Sequence, residues 1–180
     1  MNILYPKISF ALFPAMLAYA AGGAALAGVY GVLHDQLTYS ISPEYFTRLK
    51  FAQFHYADFG LPARVFVAEI GFLATWWVGL VAGWFIARVS VPACSRPGAF
   101  RCCTRGFLIV LACATGAAII GYVLGLFYGS DDSTWQSMAS ALGIVDLPSF
   151  VRVAYIHNAG YLGSLIGLIL AIIYARKQKR

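Results

Sequence analysis

Four apolar runs, each too long for an ordinary core helix, leave this chain few folds to choose from. Residues 8–33, 63–89, 105–128 and 148–175 all exceed the roughly 20 residues that a helix needs to cross the hydrocarbon core of a bilayer, about 30 Å thick. Of the chain's 180 residues, 61% are hydrophobic and 11% charged, against about 25% charged in soluble domains. The expected fold is an all-α membrane protein, a single membrane domain 1–180 whose four transmembrane helices form one bundle. The formal charge of +6 does not point to nucleic acid, which needs basic residues gathered on a folded polar face. Here they stand at the ends of the apolar runs, as membrane topology requires.

Ala18-Tyr19-Ala20 resembles a signal-peptide cleavage site, but the apolar run continues to Leu33 and outgrows a signal core of about 7 to 15 residues. It is therefore expected to be an uncleaved first span, with Pro14 in its first turns, where a kink is tolerable. Gly23, Ala27 and Gly31 recur every four residues and offer a small-residue face to another helix. The later spans repeat the device with Gly79 and Gly83, Gly121 and Gly125, and Gly163 and Gly167. Such faces predict close packing and, between copies, a homo-oligomer or a place in a larger membrane complex.

The connection 34–62 organises the rest. It is too polar to cross a bilayer yet rich in rings, a combination suited to the membrane–water boundary. Ser42-Pro43-Glu44 reads as a helix start, and the spacing predicts an interfacial helix over 43–55. Phe46, Leu49 and Phe54 fall on its apolar side and Arg48 and Gln53 away from it. His34, Asp35, Glu44, His55 and Asp58 are the polar residues of this outer loop or lid. The second outward loop, 129–147, is expected to hold another interfacial helix capped by Asp132 or Ser133, carrying Trp135, Met138 and Leu142, and stopped by Gly143.

Orientation follows from the basic residues. With both termini cytoplasmic, nine Lys and Arg lie inside, at Lys7, Arg88, Arg96, Arg101, Arg105, Arg176, Lys177, Lys179 and Arg180. Four lie outside, at Arg48, Lys50, Arg64 and Arg152, an arrangement that fits the plasma membrane, the inner one in a bacterium. Cys94, Cys102 and Cys103 then fall in a cytoplasmic loop, 90–104, and Cys113 in a span, so structural disulfides are not expected.

Polar side chains inside a bilayer are costly, and each is a functional candidate. Glu69 and His157 both fall about 8 to 14 Å below the outer boundary, counted at 1.5 Å per residue, and are expected to pair. Asn158, Tyr161 and Tyr122 share their layer, with Arg152 just above, and His157, Tyr161 and Ser164 form one helical stripe. These residues predict an intramembrane polar pocket, with Glu69 and His157 able to exchange a proton or to fix helix register. No metal site, cofactor or catalytic residue is expected. The spacing of His34, Asp35, His55 and Asp58 matches no ligand signature, haem would need a second histidine inside a span, and no phosphate loop or nucleophile elbow is present. The functional expectation is a channel, transporter or permeation subunit. The alternatives are a non-catalytic accessory or assembly subunit and, least supported, an enzyme acting on lipid.

Overall fold

The computed structural model describes residues 9–128 and 132–178. Ile8, the first residue of the expected first span, lies outside them, as do residues 129–131 of the second outward loop and the basic residues Lys7, Lys179 and Arg180. The described chain is helical and without strands, and four of its helices are long and apolar enough to span a membrane. These are α1 (Phe13–Ile41), α3 (Ala63–Ser90), α4 (Arg96–Phe127) and α6 (Leu147–Lys177).

Proline marks the start of each. Pro14, Pro97 and Pro148 sit in the first turns of α1, α4 and α6, and Pro62 is the N-cap of α3. Proline has no N–H to lose there and its ring presets the helical φ. Pro14 lies in the first turn of its span as expected, opening α1 after a 3-10 turn over Phe10–Leu12; one expectation is corrected by this rule. Pro97 likewise opens α4 at Arg96, so the expected loop 90–104 shrinks to 91–95, and Cys102 and Cys103 are buried helix residues. All four cysteines are free thiols. Burial pushes the thiol of Cys94, in the short connection, up from its ordinary value.

A second correction matters most. Helix α1 does not end at Leu33 but runs on to Ile41, where Pro43 forces Ser42 into an extended conformation and breaks it. His34 and Asp35 are therefore helix residues, not loop residues.

The long helices associate as two pairs, α1 along α3 and α4 along α6, with far fewer contacts between the pairs. Glycine makes both pairings possible. A Cβ on Gly31 would collide with the carbonyl of Gly71, and one on Gly79 with the carbonyl of Gly23. In the second pair Gly121 lies against the backbone of Tyr155, Gly163 against Cys113 and Gly167 against Val110. The small-residue faces are thus used within the chain, and their role in packing copies together falls away as an argument for an oligomer. Large side chains point the other way, among them Leu33, Leu37, Ile119, Ile120, Leu162 and Leu165, all more than half exposed.

Between α1 and α3 most of 43–57 is helical. A π-helical stretch Tyr45–Lys50 leads into one α turn, α2 (Phe51–Gln53), and a 3-10 turn His55–Ala57. As the spacing predicts, Phe46 is fully buried and Arg48 and Gln53 are exposed. Tyr45 and Phe46 pack with Val67, Phe150, Val153 and Ala154, so the segment covers the ends of α3 and α6. The second outward helix, α5 (Ser133–Leu142), is capped by the Asp132 carboxylate, which accepts from Thr134 N at 2.7 Å, and ends at Gly143 with φ 64°. The hydrogen bond from the Thr134 amide holds the Asp132 carboxyl below its ordinary range. Trp135, Met138 and Leu142 pack onto the same core cluster as Tyr45.

Glu44 ties the two outward segments together. Its carboxylate accepts from Val145 N at 3.1 Å and from Asp146 N at 2.8 Å, at the start of α6, where helix N–H groups lack partners. Glu44→Ala removes both bonds and is expected to cost at most about 1.5–3 kcal/mol, the range for hydrogen bonds to a charged group. Amide exchange in 43–57 and 143–147 should quicken together; exchange confined to one of the two would mean that Glu44 is not the clamp.

Candidate functional site

Where the two helix pairs meet they leave a cavity of about 70 Å3, roomy enough for several water molecules. One part of it is apolar, walled by Leu26, Val78, Phe107, Val110 and Leu111. Its polar lining is His34, Asp35, Lys50, His157, Tyr161 and Ser164. The expected stripe of His157, Tyr161 and Ser164 thus does face one cavity, with the Tyr161 hydroxyl donating to Ala74 O at 3.2 Å and the Ser164 hydroxyl to Gly160 O at 2.9 Å.

The partner of His157 is Asp35, not Glu69. Nε2 of His157 lies 3.2 Å from Oδ1 of Asp35, and Nδ1 of His34 lies 3.1 Å from that same oxygen. Side-chain exposures of 16%, 5% and 9% for His34, Asp35 and His157 leave Asp35 and His157 buried and His34 partly exposed. The expected pairing of Glu69 with His157 fails on helix phase. Glu69 stands two residues before Gly71, which faces α1, and two residues rotate about 200° around a helix. Glu69 keeps a buried Oε2 without a hydrogen-bond partner.

The His157 ring is fixed on all sides. Nδ1 is 2.9 Å from the carbonyl of Val153, one turn back. A carbonyl only accepts, so Nδ1 carries a hydrogen. Nε2 then faces the carboxylate either as a bare lone pair or as the second N–H of an imidazolium, and a bare lone pair beside a carboxylate oxygen needs a cation between them. The Tyr45 ring stacks on the imidazole with centroids 4.9 Å apart, and the His34 ring meets it edge-on at 4.9 Å. Burial holds the Tyr45 phenol above its ordinary range, so this roof stays neutral. Lys50 reaches the same space from the outward segment, with its ammonium 5.7 Å from the Tyr45 ring centre. Burial lowers the pKa of its ammonium, and the Asp35 carboxylate works against that.

The remaining expected residues lie apart. Asn158 is exposed. Tyr122 sits under the Arg152 guanidinium, 5.7 Å away, on the α4–α6 side, and Arg152 leaves its buried Nε without a partner. His55 turns back onto Ala52 O, and Asp58 closes its own turn by accepting from Gly60 N at 2.9 Å. A second, apolar groove of about 380 Å3 runs between α1 and the α4–α6 pair, and it shares Tyr30 and His34 with the inner cavity. His34 is therefore a wall common to both.

Comparison with known proteins returns no match: no family model, no curated protein and no solved structure resembles the chain. The site has to be read from its own chemistry. Two imidazoles converging on one carboxylate oxygen at the end of a cavity are suited to holding a small positive charge.

Proposed function

We propose that this chain is a small polytopic integral membrane protein acting as a channel, a transporter or a permeation subunit. Its outward-facing pocket is the His34, Asp35 and His157 end of the inner cavity. The observation that carries the reading is that buried carboxylate, set at the mouth of a cavity which all four long helices line. A charge is kept at such depth only at considerable cost, and in membrane proteins it marks solute paths and relays.

Several features support placement in a bilayer. Glycine and alanine carry the closest helix contacts, and many large apolar side chains, Leu33, Leu37, Ile119, Ile120, Leu162 and Leu165 among them, are more than half exposed, where in a water-soluble fold burying each would gain about 1.5–3 kcal/mol. At about 1.5 Å per residue α1 is roughly 43 Å long, ample for a tilted crossing. The excess of basic residues at the opposite end from the pocket favours both termini in the cytoplasm of a plasma membrane, the inner one in a bacterium. The pocket lies within one chain, and a homo-oligomer or a larger membrane complex remains part of the proposal.

The test is flux. Purified protein in liposomes is expected to pass protons, monovalent or divalent cations, or small neutral polyols faster than empty liposomes. Asp35→Asn, with its fold verified by circular dichroism, should remove most of that flux. No flux of any of these solutes would overturn the reading in favour of an accessory subunit, and products formed from lipid extract would favour an enzyme.

A further inference from the structure

We propose that His34, Asp35 and His157 form a binding site for one divalent transition-metal ion of the zinc class. The inference names a ligand for the pocket described above, but it does not depend on anything being carried, since a resident ion would serve equally.

Two imidazole nitrogens and a carboxylate oxygen are the donors that borderline divalent metals select, and three protein ligands with one position left open is the usual form of an exchangeable zinc site. The spacing is right. Donors bonded at 2.0–2.1 Å around a tetrahedral ion stand about 3.3 Å from each other. The two nitrogen-to-oxygen separations are 3.1 and 3.2 Å, and all three donor atoms lie within 4.8 Å of one another. Closing the remaining nitrogen-to-nitrogen distance needs only a small side-chain rotation.

The surroundings point the same way. A metal-bound imidazole characteristically gives its other N–H to a carbonyl or carboxylate, which fixes the tautomer and aims the lone pair. His157 does this: Nδ1 faces Val153 O at 2.9 Å, and Nε2 is left for the site. Tyr45 and His34 hold the ring from two sides. An ion among the three donors would also explain why both imidazoles seek the same oxygen of Asp35. The fourth position would be filled by water or solute from the cavity that the three residues line. Lys50 is the cation nearest in kind, and its ammonium lines that cavity too, so it opposes the ion.

The measurement uses the full chain in detergent, stripped with a chelator and then titrated with Co2+ and Zn2+. One equivalent of Co2+ is expected to give the intense visible bands of low-coordinate cobalt with nitrogen and oxygen donors, displaced by Zn2+. Loss of an outer-shell partner typically weakens a metal site about 10–100-fold, so Asp35→Asn and His157→Gln should each weaken binding by at least about 100-fold. His34→Gln removes the most exposed of the three ligands and keeps all four cysteines, so binding that persists there unchanged would come from thiols and would overturn the proposal. Lys50→Met should tighten binding. Absence of one-to-one binding by the unmodified chain also overturns it, whatever the flux assay gives, while tight binding without flux would leave a resident ion and remove the transport reading alone.

Discussion

Valine in place of Gly31 or Gly71 should separate α1 from α3 and leave little folded protein. At this crossing the carbonyl of each glycine occupies the space where the other would carry a Cβ. Overpacking a core costs about 1–3 kcal/mol when flexible side chains can give way, and more when they cannot. Here the obstacle is backbone on both sides, so the helices must move apart along their length. Set against a total stability of about 5–15 kcal/mol, a loss of 4 kcal/mol or more is expected, read as a collapsed melting temperature in detergent and early elution as aggregate. Gly22 and Gly116 provide the control. A Cβ there meets nothing within 4 Å, and alanine, the better helix former by about 0.5–1 kcal/mol, should leave stability unchanged or slightly raised. Equal losses at all four positions would mean that the loss does not come from this contact.

The second large effect is expected at Asp35 and His157. Leaving a buried polar group without its hydrogen-bond partner costs about 1–3 kcal/mol, and more where the group left behind is charged. Asp35→Asn and His157→Gln should each approach that loss, with the double variant well short of their sum. The coupling energy should fall at the upper end of the 0.5–3 kcal/mol typical of residues in one network. Glu69→Gln combined with His157→Gln should by contrast be additive within about 0.5 kcal/mol. Strong coupling of Glu69 to His157 would place their side chains together and refute the geometry at the cavity mouth.

Much of this was legible in the residues, and what was not has a physical cause. The apolar runs give the four long helices, and Asp132 and Gly143 bound α5 through cap chemistry that is local in sequence. The stripe of His157, Tyr161 and Ser164 faces the cavity because helix phase within one element is fixed by counting. Hydropathy misled at the outer end of α1, since polarity at His34 and Asp35 looks like the end of a span although the helix continues. The signal was present all the same: Gly23, Ala27 and Gly31 recur every four residues, and the next member of that series is Asp35. Equal depth suggested Glu69 as the mate of His157, but depth says nothing of rotation about the helix axis. Which helix pairs with which is a tertiary fact, and no spacing within a single run encodes it.

The division into α1 with α3 and α4 with α6 bears on how the molecule is made. Each pair is a hairpin of neighbours in sequence, closed by its own glycines, and the first is complete before the ribosome has finished the second. Contacts so local form early and cheaply. The charged mouth belongs to neither hairpin alone, since Asp35 comes from the first and His157 from the second. The Asp35 carboxylate has His34 beside it from the first hairpin and gains His157 only when the second docks, so the site is complete only once the two halves have come together.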